Sequence, residues 1–268
     1  MAPVAKLRAR SYAIYYGFGP LPGLDQFDLV VLEPQGWALA DIRRLQSQGV
    51  KVLAYVSALE VPPWFRAVSL SDKDFILVDG KPWVRAPENN RVVRPGSRAW
   101  RNYLDQHFPS LYRQGWDGVF LDTLGDIEDS AVAEEADWLA PEAVDLVRLA
   151  RSYFSDRLVM MNNGLWRLAP LATDHLDGVC WEGTFSRAVL REPWCQAMLD
   201  FLGQMTQRLH WVNLMLTQIP VTVQSDVLVK EFQDLARQFG FLPYAAPGGY
   251  HEGIRLRDGR VLDGIQKS

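Results

Sequence analysis

The chain has 268 residues and a formal net charge of −4, from 28 basic and 32 acidic side chains. This balance gives no general attraction to nucleic acid or to an anionic membrane surface. Its two cysteines, Cys180 and Cys195, are too few for a disulfide framework or a four-thiolate metal site.

Eight short apolar runs are predicted to form strands. They are almost continuously apolar instead of alternating, which is typical of parallel strands covered on both faces. In chain order they span residues 12–17, 27–34, 50–57, 117–123, 157–164, 177–183, 210–218 and 239–247.

Amphipathic helical patterns lie between these runs. The first buries Leu39, Ile42 and Leu45 on one face and stops at Gly49. The second is expected to be interrupted by Pro109, and the third to begin near Pro141. The helical segments span residues 36–49, 98–115, 140–156, 193–209 and 225–240.

This alternation of strand and helix predicts an α/β fold, a closed (β/α)8 TIM barrel that forms a single domain over residues 1–268. An open doubly wound sheet is the alternative, although no G-x-G-x-x-G or Walker-type loop follows any strand. The long insert between the third and fourth strands, residues 58–116, contains a hairpin with Asp79-Gly80 at its turn. We expect this insert to form a rim over the barrel mouth.

The same bulk features suggest location and partners. No run of about 18 apolar residues predicts a membrane span, and the start of the chain lacks the apolar core and cleavage site of a secretory signal. We expect a cytoplasmic monomer that does not bind nucleic acid or membrane, or an extracellular or periplasmic one if a leader has been trimmed.

The active site of a TIM barrel lies at the carboxyl ends of its strands. Polar residues gather there, namely Glu33, Ser57, Glu60, Asp122, Asn162, Asn163, Glu182, Gln218 and Tyr244. The four histidines are scattered without ligand spacing, so we expect no metal site and no cofactor.

Two of these acids belong to matched segments, DGVFLDT and DGVCWEG. Each acid lies five residues beyond the Asp of an Asp-Gly pair, Asp122 after Asp117 and Glu182 after Asp177. Strand alternation then predicts that Asp122 and Glu182 face the barrel axis at one height. Paired carboxyl groups suit a hydrolase in which one group is ionised and the other donates a proton.

Other interpretations stay open at several positions. An Asp at a strand end can cap the next helix, and Asp126, Glu128 and Asp129 have the pattern of a solvated or helix N-terminal acid cluster. Asn163, which precedes a glycine, suits a turn as well as ligand contact.

The aromatic residues near the rim allow two interpretations as well. Tyr16, Tyr55 and Trp166 could pack under loops or stack against sugar rings, because an aromatic face suits the flat apolar face of a pyranose. Loop segments such as VPPWF and NNGLWRL are further candidates for stacking.

At these residues the sequence resembles the endo-α-1,4-polygalactosaminidase-like TIM-barrel hydrolases, glycoside hydrolase family 114 and its relatives. Five segments carry the resemblance in order: VLAYVSALE, GWDGVFLDTL, MNNG, DGVCWEGTFS and FGFLPYAAP. The resemblance implies a retaining glycosidase in which Asp122 is the nucleophile and Glu182 the acid/base.

Three functions follow as hypotheses. The first is a glycoside hydrolase for an α-linked, galactosamine-containing carbohydrate, with Glu33, Glu60 and Asn163 binding hydroxyl or ammonium groups. The second is a non-catalytic carbohydrate-binding barrel, whose acids would lie outside the separations used by glycosidases. The third is a lyase or aldolase assisted by magnesium or calcium held by Asp122, Glu182 and Asp126.

Overall fold

The structure of the protein, a computed structural model, describes residues 9–265. Eight parallel strands pair in chain order around one sheet, and each lies within a predicted apolar run. The strands are β1 (Tyr12–Tyr15), β2 (Leu29–Leu32), β3 (Lys51–Ser57), β4 (Gly118–Asp122), β5 (Leu158–Asn162), β6 (Gly178–Glu182), β7 (Val212–Gln218) and β8 (Leu242–Ala246). The strand predictions are therefore confirmed.

The first and last strands lie side by side, so the sheet forms a nearly closed barrel. The rings of Tyr12 in β1 and Tyr244 in β8 are 5.7 Å apart. The Tyr12 hydroxyl crosses the interior and donates to the Met215 carbonyl of β7 at 2.9 Å. Large side chains fill the barrel below its mouth, as expected of the (β/α)8 TIM barrel, and the open-sheet alternative is excluded.

Helices alternate with the strands around the outside of the barrel. They are α1 (Leu39–Ser47), α2 (Arg98–Gln114), α3 (Ala136–Tyr153), α4 (Leu168–Leu171), α5 (Pro193–Leu209) and α6 (Ser225–Gln238). None of the helices within residues 9–265 has the length and apolarity needed to cross a membrane.

Two expectations about helix boundaries are wrong. Helix α2 continues through Pro109, because its buried face extends on both sides of the proline, with Leu104 and Phe108 before it and Leu111 after it. Helix α3 begins at Ala136, so Pro141 lies inside the helix and not in its first turn.

The two Asp-Gly pairs hold neighbouring strands together. A Cβ atom on Gly118 would lie 2.1 Å from the Leu158 carbonyl oxygen, and one on Gly178 would lie 2.0 Å from that of Val212. Only glycine allows such a close approach of backbones. The Asp of each pair also contacts a neighbouring strand. Asp117 accepts a hydrogen bond from the Val52 amide of β3 at 3.0 Å.

The equivalent acid of the second pair, Asp177, accepts the Val159 amide at 2.8 Å and pairs with Arg151. Each Asp-Gly pair therefore ties the start of a strand to the preceding strand. In both segments the Asp-Gly pair at the start of the strand stabilises the sheet, and the last residue of the strand is an acid, Asp122 or Glu182.

The insert between β3 and β4 lies at the barrel mouth, as predicted. Its strands Glu60–Val61, Asn90–Val92 and Val84–Arg85 form an antiparallel sheet. The predicted hairpin pairs Leu77–Val78 with Lys81–Pro82, and Asp79 and Gly80 at its turn have φ values of 51° and 74°. Both left-handed values fit a two-residue hairpin turn.

A second hairpin follows β8 and packs across the junction between β8 and β1. It pairs Gly253–Arg255 with Val261–Asp263. The buried Arg255 guanidinium donates to the Ala245 carbonyl at 3.2 Å and to the Ile219 carbonyl at 2.8 Å. The loop before this hairpin is thereby fixed at the mouth of the barrel.

Candidate active site

Three strand ends converge on one hydrogen-bonded group at the barrel mouth. Asp122, Asn162 and Glu182 are the last residues of β4, β5 and β6. The Asn162 side-chain amide, Nδ2, donates to Asp122 Oδ1 at 2.9 Å and to Glu182 Oε2 at 2.7 Å. One amide group therefore bridges the two acids.

This bridge limits the separation of the carboxyl groups. The two accepting oxygens are at most about 5.6 Å apart, the sum of the two hydrogen-bond lengths. Retaining glycosidases place their carboxyl groups about 5–5.5 Å apart, and inverting enzymes about 6.5–9.5 Å apart. The separation of Asp122 and Glu182 lies near the retaining range, which does not support the hypothesis of a non-catalytic barrel.

The strand register explains why the two acids face each other. Met161 of β5 pairs with Leu121 of β4, which makes Asn162 level with Asp122, while Asn162 pairs with Cys180 of β6. Glu182 therefore lies two residues further along β6 than Cys180, the residue that is level with Asp122 two strands away. A TIM barrel with a shear of eight has this offset, so both acids face the axis in one layer.

The environment of Glu182 favours its protonated form. Burial raises the pKa of Glu182, and the neighbouring Asp122 charge raises it further, against hydrogen bonds from Tyr250 and Asn162 that lower it. The Tyr250 hydroxyl donates to Oε1, the oxygen that Asn162 does not contact. Asn163 fixes the backbone, since its side-chain oxygen accepts the Glu182 amide at 3.0 Å.

Asp122 accepts two hydrogen bonds from neighbouring amides. Its Oδ1 accepts the Thr123 amide at 2.8 Å in addition to the Asn162 amide. The Asp122 charge contributes to the raised pKa values of Tyr16 and Tyr55, for which burial is the larger cause. These neutral phenols lie beside the carboxylate.

Three tyrosines form an aromatic wall next to the pair. The rings of Tyr16 and Tyr55 are 4.2 Å apart, and those of Tyr16 and Tyr250 are 5.4 Å apart. The Tyr16 amide also donates to the Tyr250 carbonyl at 2.8 Å, which joins the end of β1 to the loop after β8. The wall therefore combines residues from distant parts of the sequence.

An acidic group lies on the insert side of the cleft. Arg85 of the insert places its Nε 3.7 Å from Asp126 and 3.9 Å from Glu60, and its Nη1 2.6 Å from Asp129. Burial raises the pKa of Asp126 to about 8, with the charge of Glu60 adding to the rise and Arg85 opposing it. Its Oδ2 is buried and has no hydrogen-bond partner in residues 9–265.

The solvated interpretation of Asp126 is therefore wrong, because the short 3-10 helix Leu124–Glu128 turns this side chain inward. Asp129 does cap a helical turn, since it accepts the Ala131 amide at 2.9 Å. Across residues 9–265, no group of three or more histidine, cysteine, aspartate or glutamate side chains is arranged to hold a metal ion.

Two exposed tryptophans also line the cleft. Trp166 and Trp194 are 45% and 46% exposed, and their rings are 5.4 Å apart. Glu128 orders the Trp166 loop by accepting the Arg167 amide at 2.7 Å and the Trp166 amide at 3.2 Å. Two indole faces thus meet solvent at one end of the cleft.

The cleft has a volume of about 980 Å3. Nine residues were predicted to react with or bind the substrate, namely the two acids of the pair, Glu33, Glu60, Asn163, Trp166, Tyr16, Tyr55 and Tyr244, and seven of them line the cleft. These are Tyr16, Tyr55, Glu60, Asp122, Asn163, Trp166 and Glu182. Glu33 lies in a neighbouring chamber. Tyr244 is only 4% exposed and its hydroxyl accepts the Arg255 amide at 3.1 Å. Tyr244 was predicted to bind substrate, but from its position in the middle of β8 it lies in the barrel interior and does not line the cleft.

Sequence reasoning placed both Asn162 and Asn163 at the barrel mouth but assigned substrate binding to Asn163, and it missed Tyr250 and Arg85. Asn162 ends its strand as Asp122 and Glu182 end theirs, so alternation favours Asn162 over Asn163. Tyr250 and Arg85 reach the site from a loop and from the insert, where no periodic pattern indicates the direction of a side chain.

A TIM barrel that holds two bridged carboxyl groups in a cleft at its mouth belongs to the class of glycosidases. The sequence model of glycoside-hydrolase family GH114 matches residues 4–204, and the chain belongs to this family. No protein with curated annotation matches the chain.

Solved structures share the fold. The glycoside hydrolase domain of PelA from Pseudomonas aeruginosa is 20% identical with a TM-score of 0.72, over 96% of this chain and 100% of that one. Aspergillus fumigatus Ega3 in complex with galactosamine is 13% identical with a TM-score of 0.66, over 91% and 93%. The PgaB glycoside hydrolase domain from Bordetella bronchiseptica is 14% identical with a TM-score of 0.52, over 88% and 93%.

Proposed function

We propose that the protein is a retaining glycosidase that cleaves α-linked, galactosamine-containing polysaccharide, with Asp122 as nucleophile and Glu182 as acid/base. The main support is the amide bridge of Asn162, which keeps the accepting oxygens of the two acids within about 5.6 Å. That separation leaves too little room for the water molecule of an inverting mechanism.

The first step forms a glycosyl-enzyme. An Asp122 oxygen attacks the anomeric carbon of the bound sugar while Glu182 gives its proton to the glycosidic oxygen. The bond between the anomeric carbon and that oxygen breaks, and the leaving sugar departs as an alcohol. Asp122 is then esterified and Glu182 is ionised.

The second step releases the sugar. Ionised Glu182 takes a proton from water, and the water oxygen attacks the anomeric carbon and displaces the Asp122 carboxylate. Two inversions give overall retention. The raised pKa of Glu182 supports its use as the acid, since the group must begin each cycle protonated.

The charge of the cleft supports an amino sugar as substrate. Burial favours the protonated form of Asp126, but Glu60 and Asp129 still outnumber the one nearby cation, Arg85, so this side of the cleft keeps an excess of acid groups. A sugar ammonium group is attracted to such a surface. The structure of the fold relative Ega3 holds galactosamine, which fits this choice.

Two substitutions test the roles of the acids. Asp122→Asn should abolish hydrolysis of galactosamine polymers and of activated aryl galactosaminides. Glu182→Gln should abolish hydrolysis of the polymer but retain the first step with an aryl leaving group, which needs no proton. Asp234→Asn, which changes an exposed acid on α6 outside the cleft, is the control.

The stereochemistry is measured directly by following the anomer released first from a defined oligosaccharide by NMR. Retention of the α configuration is expected. Release of the β anomer, or wild-type turnover in Asp122→Asn or Glu182→Gln, would contradict the proposal.

A further inference from the structure

A second chamber opens beside the catalytic cleft. Its volume is about 540 Å3, within the usual range for ligand sites. Tyr55, Glu60, Glu88 and Asn90 line both spaces, so the two adjoin and share a wall. Asn90 donates to Glu60 at 2.8 Å, and this pair forms part of the wall between them.

One wall of the chamber is an aromatic ladder on α2. Trp100, Tyr103 and His107 stack in order, with ring centroids 4.9 Å and 5.5 Å apart. Their spacing of three and four residues places them on one face of the helix. Phe65 of the insert packs edge-on against Trp100 and Tyr103, at 5.7 Å and 5.3 Å.

The lip of the chamber is apolar and exposed. Pro62, Pro63 and Trp64 come from the VPPWF segment, and Trp64 is 68% exposed. Most of the Trp64 indole therefore contacts solvent in the free protein. Such a face is suited to a flat, partly apolar ligand that would cover it.

The part of the chamber beyond the shared wall, which carries Glu60 and Glu88, differs from the cleft in its charge. Burial raises the pKa of the Glu33 carboxyl and lowers the pKa of the His107 imidazole. Both shifts favour the neutral form of the group. The deep part of the chamber is therefore built for an uncharged ligand, whereas the cleft carries the acids around Arg85.

We infer that this chamber binds an uncharged N-acetylhexosamine unit of the same polysaccharide whose neighbouring unit lies in the catalytic cleft. The inference rests on the proposed function and adds a requirement for partial N-acetylation of the substrate. Because the two spaces adjoin at Tyr55 and Asn90, neighbouring units of one polysaccharide chain can lie in both.

The chemistry of an acetamido sugar matches the walls. Its ring face stacks on an indole, and its methyl group packs against proline and phenylalanine side chains. A protonated Glu33 can donate to the acetamido carbonyl. A free ammonium group would lose its hydration there, and it would need an ionised Glu33, which burial disfavours.

Cleavage and binding give separate readouts. The substrates are galactosamine hexamers that are fully deacetylated or half N-acetylated. The wild-type chain should cleave the half-acetylated hexamer with at least ten-fold higher kcat/KM. Trp64→Ala should reduce this advantage below three-fold, whereas Trp138→Ala, which removes an indole that is 45% exposed outside both spaces, should not.

Binding is measured by titrating Glu182→Gln with N-acetylgalactosamine and with galactosamine. Trp64→Ala and Glu33→Leu should weaken binding of the acetylated sugar at least ten-fold, and Glu33→Gln, which keeps a donor, should weaken it less. Equal loss for both sugars, or a wild-type preference for the deacetylated hexamer, would overturn the inference. Chamber binding without cleavage of either hexamer would overturn the proposed function alone.

Discussion

Tyr250 lies 68 residues beyond Glu182 in the chain, yet its hydroxyl donates a hydrogen bond to Glu182 Oε1. The backbone of Tyr250 is held in turn by the Tyr16 amide at the end of β1. A loop outside the strands of the barrel therefore influences the proton affinity of the acid on β6.

The first prediction concerns this hydrogen bond. It lowers the pKa of Glu182, so Tyr250→Phe should raise that pKa. A general acid works only while it is protonated, so the alkaline limb of the pH profile of kcat/KM should move to higher pH. The expected shift is about one pH unit or more, because a hydrogen bond to a charged group contributes about 1.5–3 kcal/mol. Tyr153→Phe, which removes a hydroxyl bonded to the surface acid Asp105, is the control. An alkaline limb that moves downward or stays in place would contradict the assignment.

The second prediction concerns the amide bridge. Asn162→Ala removes the donor shared by Asp122 and Glu182, so the two carboxyl groups lose their fixed geometry. We expect kcat to fall about 100-fold, as for other small displacements of catalytic groups. The measurement is kcat on a galactosamine polymer together with the melting temperature.

The matched control is Asn213→Ala. Asn213 is also a buried strand asparagine, and its amide donates to Leu202 at 3.2 Å and Thr206 at 2.9 Å. This variant should lose stability and keep the kcat of the wild type. Similar kcat values for Asn162→Ala and Asn213→Ala would remove the special role of the bridge.

The third prediction concerns stability and pH. The pKa of Asp126 is raised to about 8 in the folded protein, compared with about 3.9 in an unfolded chain. Between these values the unfolded chain has released the proton and the folded chain keeps it, so the free energy of unfolding falls as pH rises and levels off above about pH 8. The Asp126→Asn side chain does not titrate, so this variant should not show that fall in the free energy of unfolding.

Asp126→Asn should therefore be more stable than the wild type by up to about 5 kcal/mol at pH 8, since each pKa unit corresponds to about 1.4 kcal/mol, and equal to it near pH 4. Asp129→Asn should behave in the opposite way, because hydrogen bonds from Ala131 and Arg85 lower the pKa of Asp129. Thermal unfolding at both pH values measures the effect. A wild type that is more stable at pH 8 than Asp126→Asn would show that this carboxyl is ionised in the folded state.

The fourth prediction concerns the Asp-Gly pairs. Gly178→Ala would place a Cβ atom 2.0 Å from the Val212 carbonyl oxygen, so the strands must separate. We expect a loss of more than about 3 kcal/mol or a failure to fold. Gly203→Ala in α5 meets no atom within 4 Å and should instead stabilise the protein by about 0.5–1 kcal/mol. Urea unfolding of both variants measures the difference, and similar free energies of unfolding for the two would contradict the prediction.

The barrel was predictable because each strand is an apolar run of its own, bounded by glycine or polar residues. The matched form of DGVFLDT and DGVCWEG placed Asp122 and Glu182 on the same face of their strands. The prediction did not include the shear of the barrel, which brings residues offset by two in register into one layer.

What the sequence could not indicate depends on tertiary context. In the sequence, Tyr244 and Asn163 resemble the other candidate site residues, because both are polar residues near the end of an apolar run. In the structure, Tyr244 lies in the middle of its strand, and the Asn163 side chain accepts the Glu182 backbone amide. Asp126 belongs to a cluster of acids that is usually solvated, and only the packing of the insert over the barrel mouth buries it.

The division between strands and insert has a consequence for how this enzyme can be altered. The two acids proposed to react stand on β4 and β6, while Arg85, Asn90 and Trp64 are all supplied by the segment between β3 and β4. Exchange of that one segment between homologous chains should change which sugars are held without moving the proposed catalytic pair. The segment is therefore the natural unit for grafting new specificity onto this barrel.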